Sequence, residues 1–238
     1  MADELLRAAR FAVPVDQASV MSSPVRSPLF VLAAIAAAAW WATLLISPVP
    51  AWAIAAKALA VLPLGALALS RRGDAGPLLG VALLVHSCGD LLLEVAPFLA
   101  AVAAFGVGHL LYATMFARAR RPWEEVTGAA KLALGALALA LGLLLPIVLA
   151  AAPAELRLPV GVYALVLGAM AAFAQVSDRG QPWVAAGALA YVASDALLGL
   201  HLFGGELPGG RALVWPLYWG GQAAIALGWL AGRRRPSD

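Results

Sequence analysis

The sequence predicts an all-α membrane protein, a bundle of eight transmembrane helices that forms one domain. Hydrophobic residues make up 63% of the 238 residues and charged residues only 12%, a composition outside the range of soluble globular proteins. The chain has room for about eight runs of the roughly 20 apolar residues that a helix needs to cross a bilayer. Lysines and arginines alternate between the connections of these runs. These three observations together predict the fold class.

The predicted helices are separated by short connections that carry turn residues. The segments 71–74 (RRGD) and 178–180 (DRG) are examples of the charged and glycine-containing breaks that end helices. The third apolar run is the most diluted by polar residues. In chain order, the predicted helices cover about 29–46, 51–69, 77–95, 98–117, 130–150, 158–176, 183–200 and 212–231.

The distribution of basic residues predicts the orientation in the membrane. Only Arg157 and Arg211 fall on one side, and Lys57 lies within a predicted span. The excess of positive charge marks the cytoplasmic side, so both termini are predicted to be cytoplasmic and the number of spans even. The basic residues on that side are Arg7, Arg10, Arg26, Arg71, Arg72, Arg118, Arg120, Arg121, Lys131, Arg179, Arg233, Arg234 and Arg235.

This topology divides the chain into three parts. We expect a mobile cytoplasmic N-terminal arm over residues 1–28, the transmembrane domain over 29–231 and a basic cytoplasmic tail over 232–238. The net charge of +3 comes from loops and chain ends, so it reports topology and gives no indication of nucleic-acid binding. An alanine- and arginine-rich chain without an organellar address favours the inner membrane of a bacterium. The sequence does not indicate an oligomeric state.

Two aspartates, Asp90 and Asp195, lie deep within predicted spans. A carboxylate near the bilayer centre costs about 2.5 to 3.5 kcal/mol on insertion scales, so intramembrane aspartates usually serve a function. Each follows a proline by thirteen residues, Pro77 and Pro182 respectively. Since both helices run from the cytoplasm outward, the two carboxylates are expected at equal depth, about 20 Å from the cytoplasmic end. Their similar settings also hint at a four-plus-four duplication with parallel halves.

Polar residues on other predicted helices are expected near the same depth. Lys57, Tyr163 and Tyr218 each lie five or six residues into a predicted helix that enters from outside, and His109 and Gln222 lie somewhat deeper. Polar groups from six helices are therefore predicted to meet in one layer. The candidate residues around the two aspartates are Lys57, His86, His109, Tyr112, Tyr163, Tyr191, Ser194, Tyr218 and Gln222.

Several of these residues have two open interpretations. Lys57 is the natural counter-charge for one aspartate, or it extends its stem outward to the interface. Glu94 shares a helix face with His86 and Asp90, but its position near the helix end also suits an interfacial charge. The tyrosines, His109 and Gln222 could donate into the site or simply join helices. Ser194 is small enough to permit close helix approach.

Two neighbouring carboxylates in a low dielectric cannot both ionise cheaply. One aspartate is therefore expected to be a protonated acid and the other an ionised base at neutral pH. This arrangement suits hydrolysis through an oxocarbenium-like cation, and it suits proton-coupled transport equally well. Three histidines spread over different helices, with no HExxH or CxxC motif, do not indicate a metal site.

Four motifs resemble the YhhN-like family of membrane lysoplasmalogenases. The segment 86–93 (HSCGDLLL), followed by 105–112 (FGVGHLLY), is similar to the family's GD and H-x-x-Y core. The segment 187–198 (GALAYVASDALL) looks like its SD helix, and 218–222 (YWGGQ) like its closing Tyr-x-x-x-Gln element. Lys57 matches the family's lysine on helix 2, although Ala58 replaces the proline that usually follows. The resemblance covers about residues 50 to 230.

The resemblance implies hydrolysis of the vinyl ether of lysoplasmalogens to a fatty aldehyde and a glycerophospho-base. One of Asp90 and Asp195 would protonate the vinyl ether carbon, and the other would stabilise the cation or activate water. The surrounding polar residues would tune the aspartates or hold the headgroup, with Lys57 the best candidate for its phosphate. No metal or organic cofactor is implied. The lysophospholipid substrate would enter sideways from the bilayer.

Three other functions stay open from the residues alone. The chain could be a proton-coupled transporter of a small solute or lipid, or a scaffold whose aspartates tie helices together. It could also be a different lipid hydrolase on a similar bundle, such as an amidase, although amidases generally show a histidine-rich metal set. The hydrolase interpretation requires that the two aspartates face one lipid-accessible hollow.

Overall fold

The computed structural model describes residues 24–44, 50–71, 76–180, 182–204 and 210–232. Most of the predicted N-terminal arm and basic tail, at 1–23 and 233–238, lies outside the described residues.

The described residues form an all-helical structure. Within these ranges the strand-like pairing is an isolated bridge between Arg120 and Ser177, so the all-α prediction is confirmed for this part of the chain. Short 3-10 turns lie at Pro24–Arg26 and Trp123–Glu125, and a π-helical turn, Leu200–Gly204, continues α7. The helices are α1 Pro28–Thr43, α2 Trp52–Leu69, α3 Pro77–Val95, α4 Phe98–Ala117, α5 Gly128–Ala151, α6 Ala154–Val176, α7 Trp183–Gly199 and α8 Gly210–Ala231.

Helix boundaries follow local sequence signals, with one clear departure from the prediction. Prolines occupy the first positions of α1 and α3, where the missing N–H costs no hydrogen bond. Helix α6 begins at Ala154, four residues before the predicted start, because Pro153 precedes it as N-cap and Pro159 is accommodated inside the helix. Tyr163 is therefore the tenth residue of α6, not the sixth.

Six helices in the described ranges are long and apolar enough to cross a membrane. They are α2 to α6 and α7 with its continuation to Gly204, whereas α1 is apolar but has only 16 residues. A multi-pass integral membrane protein follows from these lengths and compositions. Crossing of the bilayer by all eight helices, and the four-plus-four duplication, stay predictions.

The helices pack so that α5 is peripheral. Successive contacts join α1 to α2, α2 to α3, α3 to α4, α4 to α6, α6 to α7 and α7 to α8, and α8 returns to α2 and α1. Helix α5 packs against α6 and the π turn. Its leucines are largely uncovered, with Leu132 76% and Leu139 63% exposed. The helices α2, α3, α4, α6, α7 and α8 therefore surround the interior of the bundle.

The closest helix pairing is between α7 and α8. A Cβ added to Gly187 would lie 2.7 Å from the backbone oxygen of Gly221, and the reciprocal contact is equally short. Two glycines that face each other let the two backbones approach closely. Ser194 adds a tie by donating to the backbone oxygen of Val214 at 2.8 Å.

Candidate functional site

Asp90 and Asp195 line the same cavity, which has a volume of about 480 Å³. Asp90 on α3 is only 2% exposed, and Asp195 on α7 is half-buried. A cavity of this size lies within the range typical of small-molecule sites. Both predicted aspartates therefore border one cavity.

Most of the other residues that line the cavity are apolar, and many of them come from α5 and the π turn. Helix α5 contributes Leu141, Leu144, Leu145 and Val148, and the π turn contributes Phe203. The polar groups lie on α2, α3, α6, α7 and α8, and the π turn adds His201. The cavity thus has a polar end at the aspartates and an apolar wall toward α5.

A tyrosine from another helix donates a hydrogen bond to each aspartate. Tyr218 on α8 donates to Asp90 Oδ2 at 2.6 Å, and Tyr163 on α6 donates to Asp195 Oδ2. A phenolic hydroxyl can bond a carboxylate and still accept a further bond. Each carboxylate is therefore oriented by a tyrosine that belongs to a different helix.

Lys57 pairs with Glu94 and not with either aspartate. Its Nζ lies 2.6 Å from Glu94 Oε1, and the two side chains are 7% and 29% exposed. The ammonium also lies over the Trp40 ring, 5.1 Å from the centroid. The sequence predicts an aspartate as the partner of Lys57. Lys57 lies near the start of α2, which is level with the end of α3, and Glu94 is one helical turn nearer to that end than Asp90. Lys57 as a whole residue is buried, so its side chain does not extend outward to the interface either.

The deeper polar residues form a buried cluster beside the cavity. His86, His109, Tyr112 and Gln222 are 0% exposed. His109 Nε2 lies 3.1 Å from the Tyr163 hydroxyl, and Tyr112 donates to Gln222 Oε1 at 2.5 Å. His109 is therefore connected to Asp195 through two hydrogen bonds, with Tyr163 between them.

Gly108 gives the His86 ring its position. A Cβ at residue 108 would overlap the His86 imidazole, so only glycine fits on this face of α4. The ring stacks on Tyr112, with centroids 5.0 Å apart. His86 Nδ1 lies 2.8 Å from the backbone oxygen of Ala82.

The structure thus separates the predicted site residues into two groups. The residues that line the cavity are Lys57, Asp90, Tyr163, Tyr191, Ser194, Asp195 and Tyr218. The residues packed beside it are His86, His109, Tyr112 and Gln222.

Two residues outside the predicted site set also line the cavity. Trp40 is buried there and its ring lies next to the Lys57 ammonium, a place that its position near a span end does not indicate. Glu94 lines the cavity on the helix face that it shares with Asp90, and its spacing of four residues from Asp90 is the sequence signal for this. Among the described residues, no group of three or more His, Cys, Asp or Glu side chains is placed to hold a metal ion.

Comparison with known proteins gives a consistent result. The model of the YhhN family matches residues 51–229, a range that contains every candidate site residue. Two relatives named Lysoplasmalogenase, from Mycobacterium bovis and Mycobacterium tuberculosis, are each 29% identical over 164 residues. The aligned stretch is 66% of this chain and 62% of each relative, so less than two thirds of each relative's length is matched. No solved structure matches the chain.

Proposed function

This chain belongs to the YhhN family, and from that premise we propose that it hydrolyses the vinyl ether bond of lysoplasmalogens. The products are a fatty aldehyde and a glycerophospho-base. The relatives that carry the name Lysoplasmalogenase support the substrate class. The observation that carries the proposal is a single cavity that contains two carboxylates from separate helices, each bonded by a tyrosine.

The apolar wall of the cavity suits the alkenyl chain of the substrate. Leucines of α5 line the cavity on one side, while other leucines of the same helix are exposed. In a bilayer those exposed side chains contact lipid. A single-chain lipid therefore enters sideways past α5, with its tail along the leucines and its ether bond at the aspartates.

The two aspartates divide the chemistry between them. Two carboxylates in one low-dielectric cavity do not both ionise readily, so one is protonated and the other ionised. The protonated aspartate gives its proton to the β-carbon of the vinyl ether, which forms a C–H bond and an oxocarbenium ion. The ionised aspartate removes a proton from the attacking water as its oxygen bonds to the cationic carbon. The resulting hemiacetal gives its hydroxyl proton to the aspartate that is now ionised, and the carbonyl of the aldehyde forms. The C–O bond to glycerol breaks as that oxygen takes a proton from the other aspartate, which returns both carboxyl groups to their starting states.

The ion pair at the other side of Asp90 suits headgroup binding. Glu94 lies one turn, about 6 Å of helix rise, beyond Asp90, and it holds the Lys57 ammonium at 2.6 Å. The glycerophosphate of a lysolipid is a few bonds from its ether oxygen. Lys57 therefore binds the phosphate as a point charge, sharing its donors between the phosphate and Glu94.

The membrane arrangement is part of the same proposal. All eight helices cross the membrane within a domain over residues 29–231, and both termini are in the cytoplasm of a bacterium. The basic residues Arg118, Arg120 and Arg121 after α4 support this orientation. The N-terminal arm and the basic tail flank the domain on the cytoplasmic side.

A direct assay tests the proposal. The purified protein, in detergent micelles, is incubated with a lysoplasmalogen and, separately, with the saturated alkyl ether analogue of the same headgroup and chain length. We expect fatty aldehyde from the vinyl ether only, because the saturated ether cannot form an oxocarbenium ion by carbon protonation. Proton flux in liposomes together with no aldehyde would contradict the proposal.

A further inference from the structure

Five buried polar atoms in or beside the candidate site have no hydrogen-bond partner among the described residues. They are His86 Nε2, His109 Nδ1, the Tyr191 hydroxyl, Gln222 Nε2 and His201 Nδ1, and the first three belong to neighbouring rings. His86 and His109 are 0% exposed and Tyr191 is 1% exposed. Buried polar atoms in proteins nearly always have a partner, either from the protein or from ordered water.

The other nitrogen of each histidine defines its tautomer. His86 Nδ1 lies 2.8 Å from the Ala82 carbonyl oxygen, which can only accept, so Nδ1 carries the hydrogen. His109 Nε2 lies 3.1 Å from the Tyr163 hydroxyl, whose own proton goes to Asp195, so Nε2 carries the hydrogen. A neutral imidazole has one donor and one acceptor. The two unpartnered nitrogens, His86 Nε2 and His109 Nδ1, are therefore both acceptors.

The three rings that carry these atoms are in mutual contact. The centroids of His86 and His109 are 4.9 Å apart, those of His109 and Tyr191 are 4.7 Å apart, and those of His86 and Tyr191 are 5.6 Å apart. Two acceptors cannot bond each other, and one hydroxyl proton can satisfy only one of them. A single partner that satisfies all three atoms at once donates two hydrogen bonds and accepts one.

The geometry points to a binding site for one water molecule formed by His86, His109 and Tyr191. Water donates to His86 Nε2 and His109 Nδ1 and accepts from the Tyr191 hydroxyl, within the two to four bonds that buried waters make. The site is reached from the cavity at Tyr191, which lines it. Through His109 and Tyr163, the water is connected to Asp195.

The role of this water rests on the proposed function. Hydrolysis consumes one water per ether bond, and the wall of the cavity toward α5 is apolar. A water held beside Tyr191, one helical turn from Asp195, is a local source for the attack on the oxocarbenium ion. The oxygen bonds to the cationic carbon, and its proton goes to the ionised aspartate.

Radiolytic footprinting tests the site without any enzymatic assay. The full-length protein in lipid nanodiscs is exposed to a short X-ray pulse, which turns bound water into hydroxyl radicals, and oxidised peptides are quantified by mass spectrometry. We expect oxidation of His86, which does not line the cavity, and little oxidation of Phe116, which is equally buried on α4. Oxidation of His86 no greater than that of Phe116 would overturn the site.

The Tyr191→Phe variant provides the matched comparison. It removes one hydroxyl and keeps the ring, and we expect His86 oxidation to fall at least about threefold because the water loses one of its three bonds. Unchanged oxidation of His86 would overturn the role of Tyr191.

The second measurement is an experimental density map of the unmodified protein at a resolution that shows ordered water. This measurement does not require any variant to fold. The expected peak lies about 2.7 to 3.2 Å from all three atoms, and its absence would overturn the site. Lack of aldehyde release by the unmodified protein would contradict the proposed function. The footprinting and the density map would still decide whether the water site exists.

Discussion

Asp90 and Asp195 occupy matching positions in the candidate site, each with a phenolic hydroxyl from a different helix. Tyr218 and Tyr163 supply these donors. In a cavity with a mostly apolar lining, a hydroxyl that already donates to a carboxylate does not have to reorient when the charge of that carboxylate changes. Both tyrosines therefore belong to the proposed chemistry as positioning residues.

Removal of either hydroxyl is expected to slow the reaction. In Tyr163→Phe and Tyr218→Phe, the ring stays but the aspartate loses a hydrogen bond, so kcat for aldehyde release should fall about 10- to 100-fold with a smaller change in KM. The measurement is steady-state kinetics on a lysoplasmalogen. Thr114→Ala is the control, because the Thr114 hydroxyl is exposed and bonds only the Leu110 carbonyl of its own helix. Unchanged kcat in both tyrosine variants would contradict a positioning role.

Lys57 and Glu94 form a partly buried charge pair on the wall of the cavity. Lys57→Gln removes the proposed phosphate ligand, so KM should rise about tenfold while kcat changes little. Loss of one partner also leaves Glu94 without its counter-ion, and a thermal unfolding midpoint in detergent measures that separate effect. A substrate without a phosphate, an alkenyl glycerol, should show the same KM with either protein. A rise in KM for both substrates would contradict phosphate binding by Lys57, because it would show that the substitution changes the cavity for any substrate.

The aspartates could be predicted from the sequence, but their partners could not. An aspartate in an apolar span is recognisable by its cost alone. Whether Lys57 reaches Asp90 or Glu94 depends on the rotation of α2 against α3, which composition does not encode. The bond from Tyr163 to Asp195 depends on where α6 begins, and that helix starts at Ala154 and not at 158.

At the scale of helices, the positions of Asp195 and Tyr218 depend on the packing of α7 on α8. Gly187 and Gly221 bring the two backbones together, and Ser194 bonds the backbone of α8 at Val214. A side chain between the glycines would separate the helices and move Asp195 away from the rest of the site.

Gly187→Leu is therefore expected to destabilise the protein by about 1 to 3 kcal/mol, the usual cost of overpacking. The measurement is the free energy of unfolding in detergent micelles. The matched control is Gly142→Ala on α5, where an added Cβ meets nothing within 4 Å, so stability should be unchanged or slightly higher. Equal stability of the two variants would contradict close α7–α8 packing as the determinant.

Helix order and most helix bounds could be predicted from the apolar runs, but helix neighbours could not. The sequence predicts polar groups from six helices in one layer. Those from α2, α3, α6, α7 and α8 line the cavity, while His109 on α4 is packed beside it. The peripheral place of α5 was not predicted. Its hydropathy, the highest among the six long apolar helices, is the signal that could have indicated a lipid-facing position.

For the whole molecule, the alternation of basic residues predicts which end of each helix faces the cytoplasm. Reporter fusions test this topology in bacterial cells. A cytoplasm-specific reporter joined after Asp238 should be active, and a reporter active only outside the cytoplasm should work when inserted between α5 and α6 at Pro153. Activity of the second reporter after Asp238 would contradict cytoplasmic termini.

The measurement that tests the central claim most directly is aldehyde release by Asp90→Asn and Asp195→Asn. Each change keeps the shape of the side chain and removes its ability to give or take a proton. General acid–base groups contribute about 10²- to 10⁴-fold to a rate, so each variant should lose at least about 100-fold in kcat while its thermal unfolding midpoint shows a folded protein. Full activity in either folded variant would contradict the paired-aspartate account.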